Sequence, residues 1–187
     1  TLAIVPRLGE GRESSETLYR TTDHCDWSTV NGLTNEVIGD ATLDVGQPSR
    51  VFAITKANEQ TGESGVWSST DGGQSWSPSP LMKTDQEFTS ITSTNDTLWA
   101  SALNETTRQG WLYRSTDHAS TWQTWQIDLS SYSTPLSIEI LESRADGVWF
   151  RTIQTLTDDL WHLNPADSEA KRHIEGDTKL MSLTTTT

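Results

Sequence analysis

"GVWSSTDGGQSWSP", residues 65–78, sets two tryptophans around an Asp-Gly-Gly. Its mix of aromatic and polar groups is compatible with a ligand site, but its order is that of a hairpin. An apolar stretch leads in, the Asp-Gly-Gly can reverse the chain, and a second tryptophan follows the turn. Two other stretches decide between these readings. "LYRTTDHCDWSTV" at 18–30 and "LYRSTDHASTWQT" at 112–124 repeat the pattern, and the aspartates Asp23, Asp71 and Asp117 lie 48 and 46 residues apart. A worn fourth copy, "LWHLNPADSEAKRH", begins at Leu160. A device that recurs at a fixed period is a structural unit, not a single site.

Other elements keep the same period. "TLAIVP" at 1–6, "RVFAIT" at 50–55, "TLWASA" at 97–102 and "GVWFRT" at 147–152 are short apolar runs of strand length. A further set comprises "VIGDATLDV" at 37–45, "EFTSITS" at 87–93, "SIEILES" at 137–143 and "KLMSLTT" at 179–185. Runs this short, with partial alternation and no sustained helical period, read as strands. Four antiparallel strands roughly every 45 residues are the pattern of a β-propeller blade. The expected fold is all-β: a β-propeller of four-stranded antiparallel blades, with about four blade-equivalents in one domain over 1–187. The repeats run over about 1–35, 36–84, 85–134 and 135–176, and 177–187 supply an inner strand of the next or first blade. The chain is expected to be part of a larger propeller. The alternative is a closed four-bladed ring in which the last strand pairs with the first and removes an open edge.

At these residues the chain resembles the Asp-box, or BNR-repeat, family, whose motif runs Ser/Thr-x-Asp-x-Gly-x-x-Trp. Ser69, Asp71, Gly73 and Trp76 fill all four positions. Ser115, Asp117 and Trp122 fill three, with Ala119 in place of glycine, and Thr21, Asp23 and Trp27 fit a copy one residue shorter. The resemblance implies a propeller with these turns on its periphery, away from the axis. It also implies kinship with sialidases, xyloglucanases, sortilin-type receptors and photosystem II assembly factors. The physics of the motif is that of a turn. The Asp accepts backbone N–H groups, glycine takes positive φ, and the tryptophan is expected to fold back as an apolar plug. The ten box residues are therefore expected to be structural.

Bulk properties exclude several functions. With 26 acidic and 13 basic residues in 187, the net charge is −13. No run of Lys or Arg offers a nucleic-acid groove. No apolar run approaches the ~18 residues of a membrane-spanning helix. His24, His118, His162 and His173 show no metal-ligand spacing, and Cys25 is the only cysteine, so neither a metal nor a cofactor is expected. The chain is expected to act outside the cytoplasm of a bacterium, although no signal peptide is visible in it.

Catalysis would require more than the box. A glycosidase needs two carboxylates facing each other across a cleft, and Asp40, Asp44, Glu87, Glu139 and Glu142 lie on or near candidate inner strands. Glu87 and Glu139 are the weak catalytic candidates among them. Trp111 and Trp125 fall outside the periodic tryptophans and are the expected ligand-facing aromatics. The resulting expectation is a noncatalytic module that binds or scaffolds a protein or a carbohydrate. The alternative is a sialidase- or xyloglucanase-like glycoside hydrolase, or a fragment of one.

Overall fold

The computed structural model describes residues 2–7, 15–21, 23–30, 32–33, 36–58, 60–94, 97–132, 136–154 and 157–174, with the backbone alone over 2–7 and 15–17. Among these residues all regular structure is β. Strands β1 (Leu2–Arg7), β2 (Ser15–Arg20) and β3 (Ser28–Thr29) form a three-stranded sheet. Three four-stranded sheets follow. The second holds β4 (Ile38–Leu43), β5 (Val51–Thr55), β6 (Ser64–Ser69) and β7 (Ser77–Lys83). The third holds β8 (Glu87–Thr94), β9 (Thr97–Asn104), β10 (Gln109–Ser115) and β11 (Gln123–Asp128). The fourth holds β12 (Ser137–Arg144), β13 (Gly147–Ile153), β14 (Asp158–Leu163) and β15 (Lys171–Ile174). Every pairing is antiparallel and joins sequence neighbours. The stretch 179–185 lies outside the described residues.

Burial explains why each strand has its composition. The second strand of a sheet is covered on both faces, so β5 is buried throughout and reads as the continuous apolar run VFAIT. The outermost strand β11 alternates: it buries Trp125 and Ile127 and exposes their neighbours. Strand β7, "SPSPLMK", carries two prolines, which an edge strand tolerates because half of its N–H groups face away from any partner. Trp76 and Trp122 stand just before β7 and β11, not within them.

The cores lie between the sheets. Leu18 and Leu33 meet Ile38 and Ala53 between the first and second sheets. Phe52, Ile54 and Val66 meet Phe88, Leu98 and Tyr113 between the second and third. Leu103, Leu112 and Trp125 meet Ile138, Val148 and Phe150 between the third and fourth. Close approach matters at Gly110, where a Cβ would come within 2.5 Å of Ile138 Cδ1 and 2.9 Å of Leu129 Cδ1.

The inner strands β4, β8 and β12 stand side by side, and each carries a β-bulge, between Ile38 and Asp40, Phe88 and Ser90, and Ile140 and Glu142. As outermost strands of their sheets they carry backbone groups that face away from the ladder, and side chains of the adjoining sheet take up some of them. Asp40 Oδ2 accepts Ile91 N–H at 2.9 Å, and Ser90 Oγ accepts Ile140 N–H at 3.3 Å. In return, the hydroxyls of Thr89 and Ser101 donate to the Ile138 carbonyl at 2.6 and 2.9 Å.

Candidate functional site

The three box turns have a common plan. Ser69 Oγ donates to Asp71 Oδ1 at 2.8 Å and accepts Gly73 N–H at 2.8 Å. Asp71 in turn accepts the N–H groups of Gln74 and Ser75, both at 2.9 Å, and the Ser75 hydroxyl at 2.6 Å. Ser115 and Asp117 repeat this pattern with Ala119 N–H at 2.9 Å, Thr121 N–H at 2.8 Å and the Thr121 hydroxyl at 2.6 Å. Ala119 holds φ at 69°, close to the 87° of Gly73, so the missing glycine is met by a strained alanine and the geometry is kept. The first copy closes one residue earlier: Thr21 Oγ1 accepts His24 N–H at 2.9 Å, and Asp23 accepts Cys25 and Asp26 N–H at 3.0 Å.

So many donors on one carboxylate favour its charged form. The Ser75 hydroxyl and N–H, then the Ser69 hydroxyl, hold Asp71 far below the usual carboxylate range. The Thr121 hydroxyl and N–H, then the Ser115 hydroxyl, hold Asp117 at about 2. The Cys25 and Asp26 N–H groups, with the Thr21 hydroxyl, lower Asp23.

The tryptophans of the turns differ. Trp76 folds back and donates to the Gly73 carbonyl at 3.1 Å, and Trp122 packs against Tyr113, edge to face, at 6.5 Å. Trp27, by contrast, is 43% exposed. Only four positions separate it from Asp23, against five in the other copies, so it does not act as the expected plug. The fourth turn lacks the box. Asn164 Oδ1 accepts Ala166 N–H at 2.9 Å, and the Asp167 carbonyl accepts Trp125 Nε1 at 3.0 Å.

The carboxylates of the inner strands are engaged in the fold. Asp40 accepts Ile91 and Ala41 N–H; burial raises its pKa against those bonds, and the charge of Glu139 adds to the rise. Glu139 accepts Arg151 Nε at 2.7 Å, and the same guanidinium lies 3.1 Å from the buried Asp158. Asp44 is buried, accepts Gly46 and Gln47 N–H, and stands 3.5 Å from Arg50 and 3.3 Å from His118 of the next sheet's box turn. Glu142 pairs with Arg144 at 2.9 Å, and Glu87 is exposed at the start of β8.

A cleft of about 500 Å³ opens between the third and fourth sheets, at the end that carries the turns. Thr94, Thr97, Ser143, Arg114, Arg144 and Pro165 are among its lining residues. Arg114 lies over the Trp99 ring, 5.9 Å from its centroid, and donates to Gln123 Oε1 at 3.2 Å.

By sequence, no protein-family model and no curated protein matches the chain. By structure it is similar to YCF48 from Cyanidioschyzon merolae, with a TM-score of 0.54 and 16% identity over 78% of this chain and 39% of that one. It is similar to an ancestral GH74 enzyme at 0.57 and 14%, over 87% and 29% of the two chains. It is also similar to a Hadza microbial sialidase at 0.60 and 12%, over 89% and 41%. The fold is that of the Asp-box β-propellers. The chain spans less than half the length of each of these three propeller proteins.

Within the propeller, the sequence-derived candidates do not converge. Glu87 and Glu139 lie on the inner strands of different blades, the first exposed and the second ion-paired. Trp125, expected to face a ligand, is a correction: it is only 9% exposed, packs with its ring tilted against Trp99 at 5.7 Å and is held by the Asp167 carbonyl. Its strand alternates, and position 125 faces the adjoining blade. Trp111 is half-buried against the core between the second and third blades. The pair Arg114 and Arg144 has no signal in the sequence, because two separate blades bring together residues 30 positions apart.

Proposed function

We propose that this chain is a noncatalytic Asp-box propeller module that binds a protein or a glycan. The observation that carries the reading is the use made of the inner-strand acids. Asp40 bridges to the next blade through Ile91 N–H, and Glu139 is tied to Arg151. A carboxylate that accepts such bonds is less free to act as nucleophile or acid. The proposal includes a setting outside the cytoplasm of a bacterium.

A second reading, glycoside hydrolysis, is favoured by one specific observation. Burial and the charge of Glu139 both raise the pKa of Asp40, which is the direction a general acid requires. The GH74 enzyme and the sialidase of similar fold make glycans the class to try. The test is product release from xyloglucan and from sialosides by the chain and by Asp40→Asn and Glu139→Gln. The expected result is no turnover in any of them. Turnover that either substitution abolishes would establish the hydrolase.

A further inference from the structure

At the turn end of the molecule, a polar group crosses each interface between successive blades, and the third crossing differs from the first two. Between the first and second blades, Arg20 Nη1 donates to the Gly72 carbonyl, inside the next box turn, at 3.1 Å. Between the second and third, Asp44 faces His118 at 3.3 Å. Gly72 and His118 each follow the box Asp and each have positive φ. Arg114 is the repeat equivalent of Arg20, since both stand one residue before the box Thr or Ser. The fourth turn, however, is built on Asn164, and Trp125 takes its Asp167 carbonyl. Among the described residues Arg114 therefore has Gln123 and the Trp99 face as partners and forms no ion pair.

The cleft lies at that interface. Arg144 lines it from the end of β12, held in an ion pair with Glu142 and within the field of Asp146. Two guanidinium groups thus share one concavity in a chain whose net charge is −13. Both are held before any ligand arrives, which lowers the ordering cost of binding. Thr94, Thr97 and Ser143, residue types whose hydroxyls can donate, also line the cleft. Donor-bearing residues drawn from two blades suit a tetrahedral oxyanion with three free oxygens better than a planar carboxylate. At about 500 Å³ the cleft falls within the range of small-ligand sites and exceeds what a bare ion fills.

We propose that the cleft binds a sulfate or phosphate ester carried by a sugar-sized molecule, with Arg114 and Arg144 on the ester oxygens and the three hydroxyls on the remainder. The proposal rests on the binding reading above, to which it adds a site and a ligand class.

The test is titration of the full chain, followed by calorimetry and indole NMR signals, with glucose 6-sulfate, glucose 6-phosphate, glucose, glucuronate and inorganic phosphate. The two esters are expected to bind, and added salt to weaken them. Arg144→Gln, at an exposed position, and Arg114→Gln are each expected to weaken binding about tenfold or more, as loss of a charge-assisted contact does. A preference between the two esters identifies the source of the oxyanion. The proposal is overturned if glucose or glucuronate binds as tightly as the esters, if inorganic phosphate alone accounts for the affinity, if neither ester binds, or if Arg144→Gln leaves ester affinity unchanged. Glycan turnover in the assay of the preceding section would sink the noncatalytic reading and leave ester binding at this cleft measurable. Failure of ester binding leaves the noncatalytic reading standing.

Discussion

Asp117 shows how one carboxylate organises a turn and what that implies for stability. Its folded pKa of about 2 lies below the 3.8 of an ordinary Asp, so the folded state binds its proton less readily than the unfolded chain does. Its contribution is therefore present above pH ~4 and lost as pH falls toward ~2. Asp117→Asn should lower the urea midpoint at neutral pH, and the gap to the parent chain should close across that acid interval. Urea titrations at several pH values check this, and a gap that stays constant would count against it. Ala119 makes a complementary point. The sequence places a non-glycine where the motif wants Gly73, yet the hydrogen bonds of the box hold both at positive φ. Local propensity is overruled by five well-placed acceptor contacts.

At the level of elements, periodicity carried most of the information. The stretches RVFAIT, EFTSITS and SIEILES contain or overlap β5, β8 and β12: β5 is buried throughout and nearly all apolar, while β8 and β12 show the partial alternation of strands buried on part of their length. The outer strand "SPSPLMK" has no such pattern, since an edge needs only alternate burial. The bulges were not legible: nothing in "VIGDATLDV" marks Gly39 as unpaired, and the reason for Asp40 is a backbone amide in another sheet. Asp40 gives the test at this scale. Asp40→Ala leaves Ile91 N–H buried without its acceptor and should cost about 1–3 kcal/mol in denaturant unfolding. Asp40→Asn keeps an acceptor. Because the folded pKa of Asp40 is raised, its stabilising protonated form is lost as pH rises through that pKa. The Asn variant should therefore gain on the parent chain from pH ~4 upward. Equal losses in Ala and Asn at pH 7 would show that the Ile91 bond does not matter.

For the whole molecule, charge is the governing quantity. A net charge of −13 spread over the blades opposes compaction, while exposed pairs such as Lys171–Asp167 return little. Raising the salt from low to physiological concentration should lift the melting temperature by roughly a few degrees. A calorimetric fall would mean that ion pairs such as Glu139–Arg151–Asp158 outweigh the general repulsion. The candidate cleft belongs to this scale as well. Arg114 reads in the sequence as one rim residue among several, and only the stacking of whole blades sets it beside Arg144. A site assembled across sheets leaves no spacing to find.

The inner-strand bonds from Asp40 to Ile91 and from Ser90 to Ile140 have a further consequence. Each sheet is zipped from neighbouring strands, so its ladder amides can stay protected while the sheet moves as a unit. The amides of Ile91 and Ile140 are different, since their acceptors belong to another sheet. Their hydrogen exchange clocks the parting of blade from blade and separates that opening from the fraying of any single strand.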